Sequence, residues 1–209
     1  MTYHVNEIFY SLQGEGARAG TANVFVRFAG CNLTCSVDGE AGFDCDTEFS
    51  SGARYGRNEL LAAMNKAIGV SDAKACILTG GEPSLQVDGD LVSSLASDGW
   101  FVAIETNGTK ELPVQDLFDW VCVSPKTAFH TIRQVAADEF KLVRHAGQEL
   151  PLSVPCKPRL GSRGITRLVS PAFGAEGTSR ETLEWCVDLV KKNPHWRLSC
   201  QQHKWWGVR

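Results

Sequence analysis

The chain of 209 residues carries 21 lysines and arginines against 24 aspartates and glutamates, which gives a formal charge of −3. This balance argues against a dedicated DNA- or RNA-binding protein, which usually has a strongly basic face. The hydrophobic content of 43 % argues against a disordered chain. The chain shows no apolar run near the roughly 18 residues of a membrane helix and no signal peptide. We therefore expect a cytoplasmic protein without a membrane or nucleic-acid partner.

Apolar runs along the chain predict seven strands, at residues 23–28, 74–79, 100–105, 120–124, 140–143, 165–169 and 196–200. Several of these runs are continuously apolar, which is typical of parallel strands that are covered on both faces. Gly-, Ser-, Asp- and Pro-rich composition predicts loops at residues 36–57 and 147–164.

Helical patterns lie between the strands. The first two place their apolar positions at Leu60, Leu61, Met64 and Ile68, and at Leu91, Val92 and Leu95 ahead of Gly99. In a third, Thr178 and Glu181 predict a capping box, and Asn193-Pro194 ends the helix. The expected buried face of this third helix comprises Leu183, Trp185, Cys186, Val187 and Val190.

The alternation of strands and helices predicts an α/β fold with a parallel sheet. About six strand–helix units are too few for an eightfold barrel, so we expect a reduced or partial (βα) barrel. No repeat or linker divides the chain, and we predict a single domain over residues 1–209.

The chain has eight cysteines, and disulfides are rare in a reducing compartment. Cys31, Cys35 and Cys45 lie close together after the first predicted strand. Three thiolates can hold three irons of a cubane cluster and leave the fourth iron open. The spacing is equally compatible with three loop thiols or with a zinc site that has an unidentified fourth ligand. Core packing is the expectation for the other five, Cys76, Cys122, Cys156, Cys186 and Cys200.

Polar residues follow successive apolar strands. They are Gly80-Gly81-Glu82-Pro83, Glu105-Thr106-Asn107-Gly108 and Ser124-Pro125-Lys126. Ligands bind at this edge of parallel α/β folds, although Gly-Gly and Asn-Gly pairs also form simple turns.

The cysteines and the glycine turn resemble the radical S-adenosylmethionine superfamily. Within it, the chain resembles the 7-carboxy-7-deazaguanine synthase family through motifs that occur in order: Leu12-Gln13-Gly14-Glu15-Gly16, Arg27-Phe28-Ala29-Gly30-Cys31-Asn32, Cys45-Asp46-Thr47, Thr79-Gly80-Gly81-Glu82-Pro83, Ile104-Glu105-Thr106-Asn107-Gly108, Val123-Ser124-Pro125-Lys126 and Gln202-His203-Lys204.

This resemblance implies a small homodimeric enzyme with a partial barrel of the radical S-adenosylmethionine type and a cluster-binding loop at about residues 31–57. It further implies a [4Fe–4S] cluster, S-adenosylmethionine, Mg²⁺, and a flavodoxin-like or other electron donor. The implied reaction converts 6-carboxy-5,6,7,8-tetrahydropterin to 7-carboxy-7-deazaguanine with loss of ammonia, on the way to queuosine and other deazapurine nucleosides.

The resemblance also implies a role for each site residue. Cys31, Cys35 and Cys45 would hold the cluster, and Thr47 would bind Mg²⁺. The expected cofactor contacts are Gly80, Gly81, Glu82, Asn107, Ser124 and Lys126. The expected substrate contacts are Leu12, Gln13, Gly14, Glu15, Arg27, Glu105, His203 and Arg209.

Among the substrate contacts, a carboxylate would hold the guanidine-like edge of the pterin, with Glu105 preferred over Glu15. The Arg27 fork matches the substrate carboxylate, and the Gln13 amide fits the pterin lactam. His203 and Arg209 would close the pocket.

Two features depart from the family pattern. Nine residues separate Cys35 from Cys45, which indicates a loop insertion at residues 38–42. Ser170-Pro171 stands where relatives carry Gln-Pro, so the residue that makes this one cofactor contact is not assigned. Two other interpretations share part of the pattern, namely a glycyl-radical-activating enzyme and a non-enzymatic zinc-binding module.

Overall fold

The computed structural model describes residues 1–36, 38–45, 47–72, 74–174 and 177–209. Asp46, which belongs to one of the motifs above, lies outside the described residues. The strands are β1 (Thr2–Leu12), β2 (Ala22–Phe28), β3 (Ala53–Gly56), β4 (Ala75–Gly80), β5 (Phe101–Thr106), β6 (Trp120–Val123), β7 (Ala136–Ala137), β8 (Glu139–Arg144), β9 (Lys157–Pro158), β10 (Thr166–Pro171) and β11 (Trp196–Leu198). The α-helices are α1 (Arg57–Ile68), α2 (Gly89–Ser97), α3 (Arg180–Lys192) and α4 (Gln202–Trp206).

Nine strands form one sheet in the order β11-β10-β8-β6-β5-β4-β2-β1-β3. The seven strands from β11 to β2 pair in parallel, whereas β1 is antiparallel to both β2 and β3. These seven correspond to the seven predicted strands. Since β11 and β3 lie at opposite ends of the order, the sheet is open, and the predicted α/β fold with an incomplete barrel is confirmed.

The structure adds strands that the sequence prediction missed. β1 escaped it because an irregularity between Val5 and Glu7 breaks the alternation of apolar residues. The predicted loop at 36–57 is wrong at its end, where β3 pairs with β1, for instance Tyr55 with Tyr3. The predicted loop at 147–164 contains β9, which pairs with β7 in a separate two-stranded sheet. β3 and β9 are short, and they form through pairing with distant partners, which local pattern does not reveal.

The expected number of helical units is wrong. α1 precedes β4, α2 joins β4 to β5, and α3 joins β10 to β11, but the connections from β5 to β6 and from β6 to β7 contain only a short 3₁₀ turn. α3 also begins one residue later than predicted, because the Ser179 hydroxyl, rather than that of Thr178, accepts the Thr182 N–H bond at 3.1 Å. Its fully buried residues are Thr182, Cys186 and Leu189, while Leu183, Trp185, Val187 and Val190 are half-buried.

The two faces of the sheet have different surroundings. Val102 and Ile104 of β5 belong to the main core, which also contains the buried faces of α1, α2 and α3. Since side chains alternate between faces, Ala103 and Glu105 point the other way. There Ala103 joins a small cluster with Phe9, Phe25 and Ile77. The apolar cluster on this second face is much smaller than the main core, so this face has room for a site beyond the cluster.

The expectation that five cysteines lie in the core is confirmed for four of them. Cys76, Cys122, Cys156 and Cys186 are buried, and Cys200 is half-buried. Burial raises the pKa of the Cys156 thiol to about 12 and that of Cys186 to about 11. These thiols therefore stay protonated and unreactive at neutral pH. In the parts of the chain that the structure describes, no helix combines the length and apolar character needed to cross a membrane.

Candidate active site

Two adjoining cavities lie at the carboxyl edge of the parallel strands. We call the first, of about 230 Å³, the Arg27 cavity, and its wall contains all eight expected substrate contacts: Leu12, Gln13, Gly14, Glu15, Arg27, Glu105, His203 and Arg209. We call the second, of about 200 Å³, the cysteine cavity. Its wall contains Cys31, Cys35, Cys45 and five of the six expected cofactor contacts: Gly80, Gly81, Asn107, Ser124 and Lys126.

The cavities share part of their walls. Glu15, Thr47, Gly80 and Glu105 line both of them. A group held in one cavity can therefore approach a group held in the other. Thr47, the expected Mg²⁺ ligand, lies at this junction.

Cys31, Cys35 and Cys45, the three clustered cysteines, lie on the wall of one cavity. Cys31 and Cys35 are half-buried, Cys45 is exposed, and all three thiols are free. Burial raises the pKa of Cys31 and of Cys35. Within the described ranges, no three His, Cys, Asp or Glu side chains are already gathered around one point as metal ligands would be. Soft sulfur donors on one cavity wall nevertheless fit a [4Fe–4S] cluster.

Glu82 is buried beneath the wall rather than on it. Its carboxylate accepts hydrogen bonds from the Ser84 N–H (2.9 Å), the Thr106 hydroxyl (2.6 Å) and the Asn107 N–H (2.7 Å). The Asn107 side chain in turn donates to Asn32 Oδ1 at 3.0 Å, beside Cys31. Glu82 is therefore the one expected cofactor contact that the cavity wall does not include, and its carboxylate fixes the segment after β5 against the cysteine segment.

The Gly80-Gly81 turn packs against the backbone that leads to Cys31. Gly81 donates to the Phe28 carbonyl at 2.9 Å, and Glu82 donates to the Gly30 carbonyl at 2.9 Å. A Cβ at Gly81 would lie 2.1 Å from the Gly30 oxygen, and Gly80 has a φ of +122°. Glycine is required at both positions because main chain, not a movable side chain, occupies the space.

We expect Gly81→Ala to destabilise the protein by about 1–3 kcal/mol, as overpacking does, and to lower its iron content after reconstitution. Urea unfolding and iron analysis measure the two effects. The control is Gly89→Ala at the start of α2, where a Cβ would make an ordinary contact with Val114 at 3.4 Å and alanine favours the helix. Unchanged stability and iron content in Gly81→Ala would contradict the packing argument.

A chain of hydrogen bonds, made by three side-chain groups and the Glu15 main-chain N–H, crosses the junction of the cavities and ends at Glu105. Lys141 Nζ donates to Glu15 Oε2 at 2.6 Å, and the Glu15 N–H donates to Gln13 Oε1 at 3.1 Å. Gln13 Nε2 then donates to Glu105 Oε1 at 2.8 Å. This chain connects β8, the segment after β1 and β5, so the two candidate carboxylates are oriented by different partners.

The ion pair at one end of this chain is almost fully buried, with side-chain exposures of 8 % for Lys141 and 17 % for Glu15. Burial opposes ionisation of Glu15, but the charge and hydrogen bond of Lys141, together with the nearby His203 and Lys126, hold the pKa of the carboxyl below its ordinary value. Burial likewise opposes the charge of Lys141, but Glu15 and Glu105 raise its pKa well above the usual range. Both groups are therefore charged at neutral pH.

Lys126 and Ser124 form a second polar group in the cysteine cavity. Lys126 Nζ donates to Ser124 Oγ at 2.6 Å and lies 5.5 Å from the Phe43 ring centroid. Burial and then the Lys141 ammonium lower the pKa of Lys126. Ser170 and Pro171 line the same cavity, so the departure from the family pattern falls on its wall.

The remaining expected substrate residues surround the Arg27 cavity. The His203 ring lies against Gly14, where a Cβ would come within 2.0 Å of His203 Nδ1. Arg27 Nε pairs with Glu7 Oε1 at 3.3 Å, and Arg209 pairs with the other Glu7 oxygen. The arginines are therefore held by a residue on β1 that the sequence analysis did not select.

Sequence reasoning also missed Lys141 and Thr79 as wall residues. A detectable signal for Lys141 was its charge within the otherwise apolar run of β8, where Glu139 and Lys141 alternate with Phe140 and Leu142. Glu7 carried no such local signal, because its partners come from β2 and from the end of the chain.

Comparison with known proteins assigns the family. No protein-family model matches the chain. The chain is 39 % identical over 209 residues to a 7-carboxy-7-deazaguanine synthase from Bacteroides thetaiotaomicron, with both proteins covered in full. The chain belongs to the 7-carboxy-7-deazaguanine synthase family. A Bradyrhizobium diazoefficiens member is 39 % identical over 225 residues, again with full coverage of both.

The crystal structure of QueE from Escherichia coli supports the fold. It matches with a TM-score of 0.68 and 23 % identity, and covers 97 % of this chain and 95 % of that one. The predicted membership of this enzyme family is confirmed. Membership of this family excludes the two other interpretations, a glycyl-radical-activating enzyme and a non-enzymatic zinc-binding module, which shared only part of the motif series.

Proposed function

We propose that the protein converts 6-carboxy-5,6,7,8-tetrahydropterin to 7-carboxy-7-deazaguanine with ring contraction and loss of ammonia. It would do so as a radical S-adenosylmethionine enzyme in queuosine-type 7-deazapurine biosynthesis. The observation that carries this proposal is the pair of adjoining cavities. One contains the eight expected substrate residues, and the other contains the three cysteines with five expected cofactor residues.

In the cysteine cavity, Cys31, Cys35 and Cys45 would hold the [4Fe–4S] cluster, and Gly80, Gly81, Asn107, Ser124 and Lys126 would surround S-adenosylmethionine. When bound, these groups supply the electron and the organic radical that begin the reaction. The glycine turn lets the cofactor approach the backbone, and the Glu82 network holds Asn107 and the cysteine segment in register. The Thr47 hydroxyl would bind Mg²⁺, which prefers oxygen ligands and keeps several waters.

In the Arg27 cavity, Glu105 is the stronger candidate for the guanidine-like edge of the pterin. The Glu15 carboxylate is already bound by a buried ammonium at 2.6 Å. Glu105 is oriented by the neutral Gln13 amide, so its negative charge is directed to donors on a ligand. Arg27 would bind the substrate carboxylate, Gln13 would contact the lactam, and His203 and Arg209 would close the cavity.

The wider setting follows from the same proposal. The protein would act in the cytoplasm as a homodimer, with a flavodoxin-like or other electron donor and without a nucleic-acid or membrane partner. Trp205 and Trp206 on α4, which are 74 % and 41 % exposed, support a contact between two copies.

The proposal is tested by anaerobic incubation of the reconstituted protein with reductant, S-adenosylmethionine, Mg²⁺ and the carboxytetrahydropterin. We expect a brown protein, the deazaguanine product and ammonia, with the product identified by mass spectrometry. Cys35→Ala should lose both colour and turnover, because three thiolates are needed to hold the cluster. The matched control Cys156→Ala should stay brown, since that buried thiol lies outside the cavity wall. An intact cluster without product would reject the proposal, as would a colourless protein with stoichiometric zinc.

A further inference from the structure

Glu7 joins the two arginines of the Arg27 cavity. It lies on β1 directly opposite Arg27 on β2 in the antiparallel register. One of its carboxylate oxygens pairs with Arg27 Nε at 3.3 Å, and the other pairs with the Arg209 guanidinium. Glu7 and Arg27 are 23 % and 33 % exposed, respectively. One carboxylate therefore neutralises half the positive charge that the two arginines bring to the cavity wall.

Phe9 places both guanidinium groups in the same small region. The Arg27 and Arg209 guanidinium carbons lie 5.4 Å and 5.0 Å from the Phe9 ring centroid. Phe9 itself stacks on Phe25 with 5.0 Å between centroids. The Ser11 hydroxyl also donates to a main-chain oxygen of Arg209 at 2.7 Å, so Arg209 is bound to β1 at a second point.

Any carboxylate ligand that binds these arginines has to approach Glu7. An arginine fork can form paired hydrogen bonds with a carboxylate, and Glu7 already uses donors of both forks. Two carboxylates brought to the same cations repel each other. A ligand that offers only a negative charge would therefore gain little binding free energy from the arginines. A ligand that also bonds Glu105 and Gln13 has further binding energy to offset the repulsion.

We propose that Glu7 is a specificity-determining residue that competes with the substrate carboxylate for Arg27 and Arg209. The inference rests on the proposed function and deepens it by naming the residue that limits how much binding energy the substrate's acidic group can contribute. A carboxylate ligand exchanges with Glu7 on at least one of the two arginines. Small anions without a ring bind weakly, because specificity needs an element that works against the wrong ligand as well as one that favours the right one.

The test measures binding of 6-carboxypterin and of pterin, which lacks the carboxylate, to the reconstituted holoenzyme through their intrinsic fluorescence. We expect Glu7→Gln to lower the dissociation constant of 6-carboxypterin about two- to fivefold, the range for a partly exposed ion pair. Binding of pterin should not change, since pterin has no negative group facing Glu7. Glu7→Asp retains the charge, so its dissociation constant for 6-carboxypterin should stay near that of the wild type and above that of Glu7→Gln.

Glu184→Gln is the matched control, because it removes the same charge from an exposed pair with Arg180 on α3. It should leave both dissociation constants unchanged. Weaker binding of 6-carboxypterin by Glu7→Gln, or an equal change for both ligands, would overturn the competition. If the wild-type holoenzyme binds neither ligand, the proposed function fails as well. If it binds 6-carboxypterin but Glu7→Gln has no selective effect, the failure belongs to this inference alone.

Discussion

Glu105→Ala should reduce turnover by about 10²- to 10⁴-fold, as expected for the loss of two hydrogen bonds to a charged group. Glu105 lies where the two cavities meet, and the Gln13 amide orients it. In the proposed complex its carboxylate accepts two N–H bonds from the pterin edge. Its removal therefore weakens substrate positioning without removing a cluster ligand. Product formation under anaerobic conditions and the visible absorption of the cluster measure the two effects separately.

Two further variants sharpen this experiment. Glu105→Gln keeps the size of the side chain but replaces one acceptor oxygen with a donor, so it should also fail to bind the pterin edge. Glu111→Gln provides the control, because Glu111 is exposed and hydrogen-bonded to Gln115 away from both cavities. Loss of the iron chromophore in Glu105→Ala would contradict the role given to this carboxylate.

Lys141→Met should lower the free energy of unfolding by about 3–5 kcal/mol at neutral pH, since it leaves a buried charge without its partner. Lys141 is 8 % exposed and Glu15 17 % exposed, so water can replace little of the lost interaction. Urea unfolding of the two proteins gives the difference directly. The segment after β1 that contains Glu15 should also be displaced, which would weaken substrate binding.

The pH dependence of stability follows from the two pKa shifts. The folded protein lowers the pKa of Glu15, so this group contributes stability above its unfolded pKa and loses it as the pH falls through the folded pKa. The folded protein raises the pKa of Lys141, so that contribution is complete below the unfolded pKa and is lost as the pH rises through the folded value. The difference between wild type and Lys141→Met should therefore shrink in acid, where Glu15 is protonated.

A double variant and a surface variant serve as controls. Lys141→Met combined with Glu15→Gln should recover part of the stability, because no buried charge is left without a partner. Lys191→Met, which removes an exposed partner of Asp188, should change stability by less than about 1 kcal/mol. Equal stability of Lys141→Met and wild type at neutral pH would show that the buried pair contributes nothing.

The sequence by itself determined the parallel part of the fold. Strands β2, β4, β5, β6, β8, β10 and β11 are apolar runs whose own composition predicts them. The polar segments after β4, β5 and β6 were expected to meet, because parallel strands end at the same edge. Motifs such as Gly80-Gly81-Glu82-Pro83 identified the family before any coordinate was needed. Each of these conclusions depends on the composition of short segments or on the order of those segments along the chain.

The tertiary structure decided how these segments act on one another. It placed Glu82 beneath the wall, bound Glu15 to Lys141, and set Glu7 between Arg27 and Arg209. β1 and β3 likewise became visible through their pairing with each other. These partners are far apart in the chain, and the energy of a charge or strand depends on what folding brings beside it. Local pattern cannot supply that information, so the protein groups that bind each of these carboxylates were decided by the fold.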